Sequence, residues 1–351
     1  MEPLVSKDPI VEKIVSGQAS DELLELLVAR NLPLKDEEYL ETLVFVIPDK
    51  KFGDRAGKIF RSTPSTVKLG YIKKKEANHT VARLILTTAL HNDDKEILIA
   101  AVNNQALPVD MLMMIAEAGS YPTLTALLEN QIKMIAYPEI MDAIEQNRVA
   151  DTFIKGKITE IREYYLNVEK TEPIPEEDIL EDLQNIADSA EIKEILEKVD
   201  DTEWLAEITV EEKALSTLEK INRMRLPEKV KLALEGTKTE RMILLRDPSK
   251  VVVKSVLSSP KISEDEVLIF LKIKSIDREF IEKIAKSKEW TKKYPIVQGL
   301  VHNPKTPVTE GMRLTRNLHH RDLVILSRDR NANPVITKFA KNLLNQKQGV
   351  K

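Results

Sequence analysis

The sequence predicts an all-α protein built as an α-solenoid of stacked helical hairpins. Three observations lead to this prediction: the composition favours helices, prolines separate short apolar segments with helical spacing, and the C-terminal half of the chain is similar to itself at a fixed offset. No single segment decides the fold class. The three observations agree with one another, and that agreement is the basis of the prediction.

The composition favours helices over strands. The chain has 351 residues, of which 42% are hydrophobic and 31% are charged, but only 5% are aromatic and ten are glycine. Strands prefer aromatic and β-branched residues, whereas helices accept long charged side chains on the face that meets water. The chain has no cysteine, which excludes disulfides, thiolate nucleophiles and thiolate metal sites.

Prolines mark the predicted helix boundaries, because proline fits the first turn of a helix but not its interior. Between them, apolar residues recur at helical spacing, as Phe280, Ile281, Ile284 and Ala285 do. Ser263 with the glutamate three residues later forms a capping box, in which each residue satisfies a backbone N–H of the other. The prolines used here are Pro248, Pro260, Pro295, Pro304, Pro307 and Pro334.

Internal similarity points to repeats. Residues 252–261 align with residues 296–305 at an offset of 44 positions. A related unit lies in the N-terminal half, where five residues match five of the C-terminal half in order: Val102, Asn104, Pro108, Val109 and Met113 match Val301, Asn303, Pro307, Val308 and Met312. A unit of two or three helices cannot bury its apolar side alone, so neighbouring copies must stack.

The region from 240 to 345 resembles the HEAT, armadillo and leucine-rich-variant families of helical repeats, on the basis of its period and the Asn-Pro-Lys-Thr-Pro turn at 303–307. Residues 60–165 resemble them more loosely. The C-terminal part is also similar to a class of bacterial helical-repeat proteins to which no activity is attached. The resemblance implies a superhelix and a binding role.

Charge and proline content divide the chain into three parts. Residues 169–204 carry 14 acidic residues against three basic ones, whereas residues 205–351 carry 30 basic residues against 18 acidic ones. We predict an N-terminal helical-repeat domain at 1–167, an acidic linker with a short helical hairpin at 168–204, and a basic C-terminal helical-repeat domain at 205–351. Opposite charge allows the acidic segment to fold back on the basic half.

The search for catalytic and metal-binding motifs is negative. His319 and His320 are neighbours and point to different faces of a helix, so they cannot form the two-histidine zinc motif. Gly156 and Lys157 resemble the end of a phosphate-binding loop, but Asp151 occupies the position where that loop needs a glycine. We therefore predict no enzyme activity, no metal and no cofactor.

The sequence also carries no pattern that indicates secretion or insertion into a membrane. The first 17 residues lack the basic-then-apolar order of a signal peptide, and no apolar stretch approaches the roughly 20 residues that span a bilayer. We predict a cytoplasmic protein that does not insert into membranes.

The predicted function is a non-catalytic scaffold or adaptor that holds protein partners. The alternative is a nucleic-acid-binding protein that uses its basic C-terminal half, and a hidden catalytic site is a third possibility. Phosphate binding requires basic residues, and stacking on bases requires aromatic rings. Trp290 could alternatively fill the space between two repeats. The candidate partner-binding residues are Trp290, Lys292, Lys293, Arg313, Arg316, Arg321 and Arg328.

Overall fold

The structure is a computed structural model that describes residues 8–167, 172–188, 211–273 and 276–348. These residues form α-helices, one π-turn and one 3-10 turn, and they contain no β-strand. The prediction of an all-α protein is therefore confirmed for the described part of the chain. The chain divides into two compact units, Met1–Val168 and Glu169–Lys351.

The described part of the first unit contains twelve α-helices followed by a π-turn at Arg162–Leu166. The helices are α1 Pro9–Val15, α2 Asp21–Val28, α3 Asp36–Val46, α4 Gly53–Ser62, α5 Ser65–Ile72, α6 His79–Asn92, α7 Lys95–Asn103, α8 Val109–Ala118, α9 Tyr121–Glu129, α10 Gln131–Ala136, α11 Glu139–Gln146 and α12 Thr152–Ile161.

Helices of the first unit form two rows. In one row α3 contacts α5, α5 contacts α7, α7 contacts α9 and α9 contacts α12; in the other α6 contacts α8 and α8 contacts α11. Successive helices also contact each other across the rows, as α6 does with α7 and α7 with α8. The apolar faces meet between the rows, where the side chains are shielded from water. Fully buried examples are Ile85, Leu86, Ala101, Leu112 and Leu124.

Asparagine side chains join consecutive helices of one row. The side-chain amide of Asn104, after α7, donates to the backbone carbonyls of Ile72 at 2.7 Å and Lys74 at 2.9 Å, at the end of α5. Its oxygen accepts from the N–H of Ala106 at 2.9 Å. Asn147, after α11, donates in the same way to Ala116 at the end of α8 at 2.9 Å. These bonds satisfy carbonyls that a helix leaves unpaired at its C-terminus.

The described part of the second unit contains eleven α-helices, with a 3-10 turn at Trp290–Lys292. The helices are α13 Glu176–Asp188, α14 Glu211–Arg223, α15 Leu226–Glu235, α16 Lys238–Leu244, α17 Lys250–Leu257, α18 Glu264–Lys272, α19 Arg278–Lys286, α20 Tyr294–His302, α21 Val308–Thr315, α22 His320–Arg328 and α23 Pro334–Gln348.

The second unit repeats the arrangement in two rows. In one row α15 contacts α17, α19 contacts α21 and α21 contacts α23, while an ion pair between Lys250 and Glu279 joins α17 to α19. In the other row α18 contacts α20 and α20 contacts α22. The predicted capping box at the start of α18 is confirmed: the N–H of Ser263 donates to the carboxylate of Glu266 at 2.9 Å, and the N–H of Glu266 donates to the hydroxyl of Ser263.

The two segments that align in the sequence have the same local structure. The hydroxyl of Ser259, after α17, donates to the carbonyl of Leu234 at 2.8 Å, and the amide of Asn303, after α20, donates to the carbonyl of Leu271 at 2.7 Å. Each also accepts from the backbone N–H two residues further on. These bonds span 25 and 32 residues, which is shorter than the 44-residue offset of the alignment. The 44-residue offset therefore relates two similar segments, at the ends of α17 and α20. The hydrogen bonds instead join α17 to α15 and α20 to α18.

The first part of the predicted acidic linker belongs to the second unit and packs against α14. Ile174 is buried, and its N–H and carbonyl both bond to the side-chain amide of Asn222 in α14, at 2.8 and 3.1 Å. Ile179 and Leu183 of α13 are also buried. The second helix of the predicted acidic hairpin falls within 189–210, which lies outside the described residues.

Glu41 is a buried carboxyl group in the first unit, and only 2% of its surface is exposed. The hydroxyl of Tyr71 donates to Oε1 of Glu41 at 2.7 Å, while Oε2 has no hydrogen-bond partner among the described residues. Burial, only partly offset by the bond from Tyr71 and by the charge of Lys74, raises the pKa of Glu41 above its ordinary value of 4.5.

We expect Glu41→Gln to stabilise the first unit at neutral pH. A raised pKa means that the folded chain binds more protons than the unfolded chain between the ordinary and the raised value, so stability falls as pH rises through that window. The amide keeps the acceptor for Tyr71 and removes the titration. The gain should be near zero in acid and should grow with pH, by about 1.4 kcal/mol for each tenfold difference in proton affinity between the folded and the unfolded chain.

Urea unfolding of both proteins across the pH range measures this difference. The matched control is Glu76→Gln, which makes the same change of charge at an exposed glutamate of the same unit and should leave the pH profile unchanged. A Glu41→Gln variant that is less stable than the original chain at neutral pH would show that the carboxylate is held in its charged form.

Candidate functional site

A cleft of about 260 Å³ opens in the second unit between α17 and α19. Its walls come from both helices, from the loop between α16 and α17, and from the start of α13. We call it the α17–α19 cleft. It is lined by Asp178, Leu245, Arg246, Asp247, Pro248, Lys250, Val253, Lys254, Asp277, Glu279, Phe280 and Lys283.

Two lysines of the α17–α19 cleft share one carboxylate. Lys250 and Lys254 lie one helical turn apart on α17, and Glu279 lies opposite them on α19. The ammonium of Lys250 is 3.1 Å from Oε2 of Glu279, and that of Lys254 is 3.7 Å from Oε1. The bond from Lys250 and the two positive charges lower the pKa of Glu279, and the same bond raises the pKa of Lys250.

Lys283 adds a third positive charge, one turn after Glu279 on α19. Partial burial and the nearby charge of Lys254 lower the pKa of Lys283. Lys283 forms no ion pair with the residues that the structure describes. The two helices thus bring three ammonium groups near the carboxylate of Glu279, and the charge of Asp277 also acts on Lys250.

Two further carboxylates of the cleft are used by the fold. Asp247 is buried, pairs with Lys229 at 2.8 Å and accepts from the N–H of Ser249 at 2.9 Å. Asp277 accepts from the N–H of Glu279 at 3.0 Å and so caps α19. These contacts satisfy both groups within the chain. With Asp247 paired to Lys229, the four basic residues that line the cleft face three carboxylates, those of Asp178, Asp277 and Glu279.

Apolar side chains form part of the cleft wall. Phe280 is 2% exposed and Leu245 is 5% exposed, while Val253 is partly exposed on α17 next to Lys254. The cleft therefore combines positive groups with apolar surface.

Basic side chains continue from the cleft along the row of α17, α19 and α21. Arg313 of α21 donates to the carbonyl of Ala285 at the end of α19 at 2.9 Å and to Glu310 at 2.7 Å. The guanidinium of Arg316 lies 5.7 Å from the ring centre of Phe339. We call the following six residues the basic ridge, of which five are exposed and one is half-buried: Lys250, Lys254, Lys283, Lys286, Arg313 and Arg316.

The structure separates the residues predicted to bind a partner. Arg313 and Arg316 belong to the basic ridge, whereas Lys293 pairs with Glu264 of α18 at 3.2 Å, in the other row. Lys292, Arg321 and Arg328 are exposed, the last two on α22. Six of the seven predicted residues are therefore exposed, but they are distributed over both rows of helices.

Trp290, unlike the other six residues predicted to bind a partner, is not exposed. Only 9% of its surface is exposed, and the turn that carries it contacts both α19 and α20. The alternative, that it fills the space between repeats, agrees with this burial.

Tyr294, which follows Trp290, Lys292 and Lys293 in the sequence, is also used within the fold. Its hydroxyl bonds to the carboxylate of Asp322 and accepts from the N–H of His319 at 3.0 Å. The rings of Tyr294 and His319 lie 4.3 Å apart, centre to centre. These contacts join α20 to α22 and occupy one face of the tyrosine ring.

The four cleft residues Lys250, Lys254, Phe280 and Lys283 are not among the residues predicted to bind a partner. A signal for them is present, because Lys250 and Lys254, and likewise Glu279 and Lys283, are spaced four residues apart on one helix face. That spacing is common on exposed helices. Only the packing of α17 beside α19 shows that the two lysines of α17 lie close to Glu279 and Lys283 of α19.

The described residues also limit other kinds of site. They contain no group of three or more histidine or acidic side chains that could hold a metal ion. Among them, no helix combines the length and the apolar character that crossing a bilayer requires.

No family model, no curated protein and no solved structure matches this chain. What the protein does must therefore be inferred from its own residues, chiefly from the basic ridge and the α17–α19 cleft.

Proposed function

We propose that the protein is a non-catalytic scaffold, built as an α-solenoid similar to HEAT and armadillo proteins, which binds an acidic segment of a partner protein along the basic ridge. Contacts between alternate helices in both units support the solenoid, because stacked repeats contact mainly their neighbours. The bonds of Asn104, Asn147 and Asn303 to the preceding helix of the same row support it further.

The basic ridge is the observation that carries the binding role. Six basic residues on α17, α19 and α21 face three glutamates of the same helices, Glu279, Glu282 and Glu310. The resulting positive field attracts acidic partners and orients them. Neighbouring helix axes lie about 8–10 Å apart, so three helices span roughly 20 Å, which about six extended residues match.

A nucleic acid could use the same positive charges, and it remains the alternative. Single-stranded nucleic acids gain much of their affinity from aromatic rings that stack on bases. Of the two aromatic residues beside Lys292 and Lys293 in the sequence, Trp290 is buried and the ring of Tyr294 packs against His319. These two observations favour a protein partner. The absence of cysteine from the sequence fits a reducing compartment, and we propose that the protein works in the cytoplasm.

The test is affinity purification of the full chain from its native cells after cross-linking, with a nuclease-treated duplicate. The ridge variant carries Lys286→Glu, Arg313→Glu and Arg316→Glu. The control variant reverses three exposed lysines of the first unit, Lys58, Lys73 and Lys155, and so makes the same number of charge reversals. Circular dichroism verifies that both variants remain helical.

We expect one or more proteins that bind the original chain and the control variant, survive nuclease treatment and are reduced about tenfold or more on the ridge variant. Loss of the bound proteins after nuclease treatment would favour the nucleic-acid alternative. An unchanged set of proteins on the ridge variant would contradict the proposed function.

A further inference from the structure

We propose that the α17–α19 cleft is the anchoring site of the basic ridge, and that it binds a peptide segment in which an acidic side chain lies next to an aliphatic one. This inference rests on the proposed function and names the part of the ridge and the chemistry of the partner. The cleft differs from the rest of the ridge because it has depth and an apolar wall.

The lysines of the cleft favour the binding of a carboxylate. Glu279 is shared by Lys250 and Lys254, and Lys283 forms no ion pair with a described residue. Lys254 and Lys283 repel each other, and this repulsion contributes to the lowered pKa of Lys283. A carboxylate placed between these two ammonium groups would reduce the repulsion and would be partly shielded from water, where ion pairs are stronger than on an open surface.

The apolar residues of the cleft wall favour contact with an aliphatic side chain of the ligand. Phe280 and Leu245 are already buried by the chain. The apolar surface that the cleft offers to a ligand is therefore that of Val253, which is partly exposed beside Lys254, and of Pro248, which is exposed. An aliphatic side chain that covers Val253 and Pro248 removes apolar surface from water at about 25 cal/mol for each Å². A ligand with charge alone would leave this surface hydrated, so the combination of charge and apolar contact gives the site its selectivity.

The chain's own sequence has an acidic residue at the edge of the cleft, followed directly by an aliphatic one. Asp178 of α13 lines the cleft, its carbonyl accepts from Arg246 at 3.4 Å, and the next residue, Ile179, is buried in the second unit. Residues 172–188 contain seven acidic residues and no basic one. An acidic residue followed by an aliphatic one therefore already packs in this part of the second unit, with the acidic residue at the cleft.

Fluorescence anisotropy with the full chain tests the site. The probe is a labelled synthetic peptide of about eight residues, a length that covers the ridge, in which aspartate alternates with leucine. Two matched peptides replace every aspartate with asparagine or every leucine with serine. This experiment uses its own set of variants, each with two charge reversals. The cleft variant is Lys254→Glu/Lys283→Glu and the ridge variant is here Arg313→Glu/Arg316→Glu. The control variant is here Lys338→Glu/Lys341→Glu, on the exposed side of α23.

The cleft variant should lose about tenfold or more in affinity for the probe, the ridge variant about threefold and the control variant less than twofold, since exposed pairs contribute little. Both matched peptides should bind several-fold more weakly than the probe. A second cleft variant, Lys254→Met/Lys283→Met, keeps the apolar stems of the lysines and should also lose affinity, which guards against loss by misfolding.

Three results would overturn the inference. One is equal binding of the probe by the cleft and control variants, combined with reduced binding by the ridge variant; the proposed function would then stand and the anchoring site would not. Another is equal binding of the probe and of the serine peptide, which would remove the role of the apolar wall. The third is failure of the unaltered chain to bind the probe, while the purification experiment still decides the proposed function.

Discussion

Replacement of Arg241 by alanine is expected to lower the free energy of unfolding of the second unit by about 3–5 kcal/mol. Arg241 is buried, and its Nε and one terminal nitrogen donate to the two carboxylate oxygens of Glu266 at 2.8 and 3.0 Å. Its other terminal nitrogen donates to the carbonyl of Gly236 at 2.6 Å. The variant leaves the carboxylate of Glu266 buried without its cation, which costs more than the ion pair itself contributes.

Chemical unfolding followed by tryptophan fluorescence measures this change, because both tryptophans of the sequence, Trp204 and Trp290, belong to the second unit. The matched control is Arg223→Ala. Arg223 is 81% exposed and lies 3.7 Å from Glu219, so its loss should change the stability by less than about 0.5 kcal/mol. A similar small change for Arg241→Ala would show that the buried pair does not hold α16 to α18.

A double variant separates the ion pair from the other contacts of Glu266. In Arg241→Met/Glu266→Leu no buried charge remains, so part of the lost stability should return. The recovery should be incomplete, because Glu266 also accepts from the N–H of Ser263 at 2.9 Å and thereby caps α18. Full recovery would mean that the capping box adds nothing measurable.

Replacement of Lys229 by methionine is expected to cost about 3–5 kcal/mol at neutral pH and less in acid. Neither side chain of the Lys229–Asp247 pair is exposed, and the two groups lie 2.8 Å apart. In the variant, burial of a lone carboxyl group favours its protonated form, so the folded chain takes up a proton that the unfolded chain does not hold at that pH. Stability of the variant should therefore decrease as pH rises from acid toward neutral.

Unfolding of the variant at several pH values, compared with Lys220→Met at an exposed lysine of α14, measures this dependence. Adding Asp247→Asn to Lys229→Met should remove most of the pH dependence, because the amide oxygen can still accept from the N–H of Ser249 and carries no charge. A destabilisation that is the same at every pH would indicate that packing of the lysine stem, and not the charge of Asp247, accounts for the loss.

The helices and their caps could be predicted from the sequence because their signals are local. The capping box at Ser263 and the turns at Asn104 and Asn303 depend on residues within a few positions of each other. The packing partners of those helices could not be predicted in the same way. The alignment at 44 residues relates α17 to α20, whereas the hydrogen bonds of their terminal residues reach α15 and α18.

The candidate site shows the same limit. Composition indicates a basic C-terminal half, but a basic residue in a sequence can be exposed, as Lys250 is, or buried in an ion pair, as Lys229 and Arg241 are. Charged residues are rarely buried, so the exposed state is the natural expectation for each of them. Trp290 illustrates the reverse problem, since an aromatic residue among lysines suits both a binding surface and a buried contact.

The asparagine bonds have a consequence for how long such a chain can be. Asn104, Asn130, Asn147 and Asn303 each reach back 28 to 32 residues, to the end of the preceding helix in their row, and no further. Each of these bonds therefore depends only on the hairpin that carries the asparagine and on the helix before it in the row. Duplication or deletion of one such hairpin elsewhere in the row is expected to leave these bonds intact.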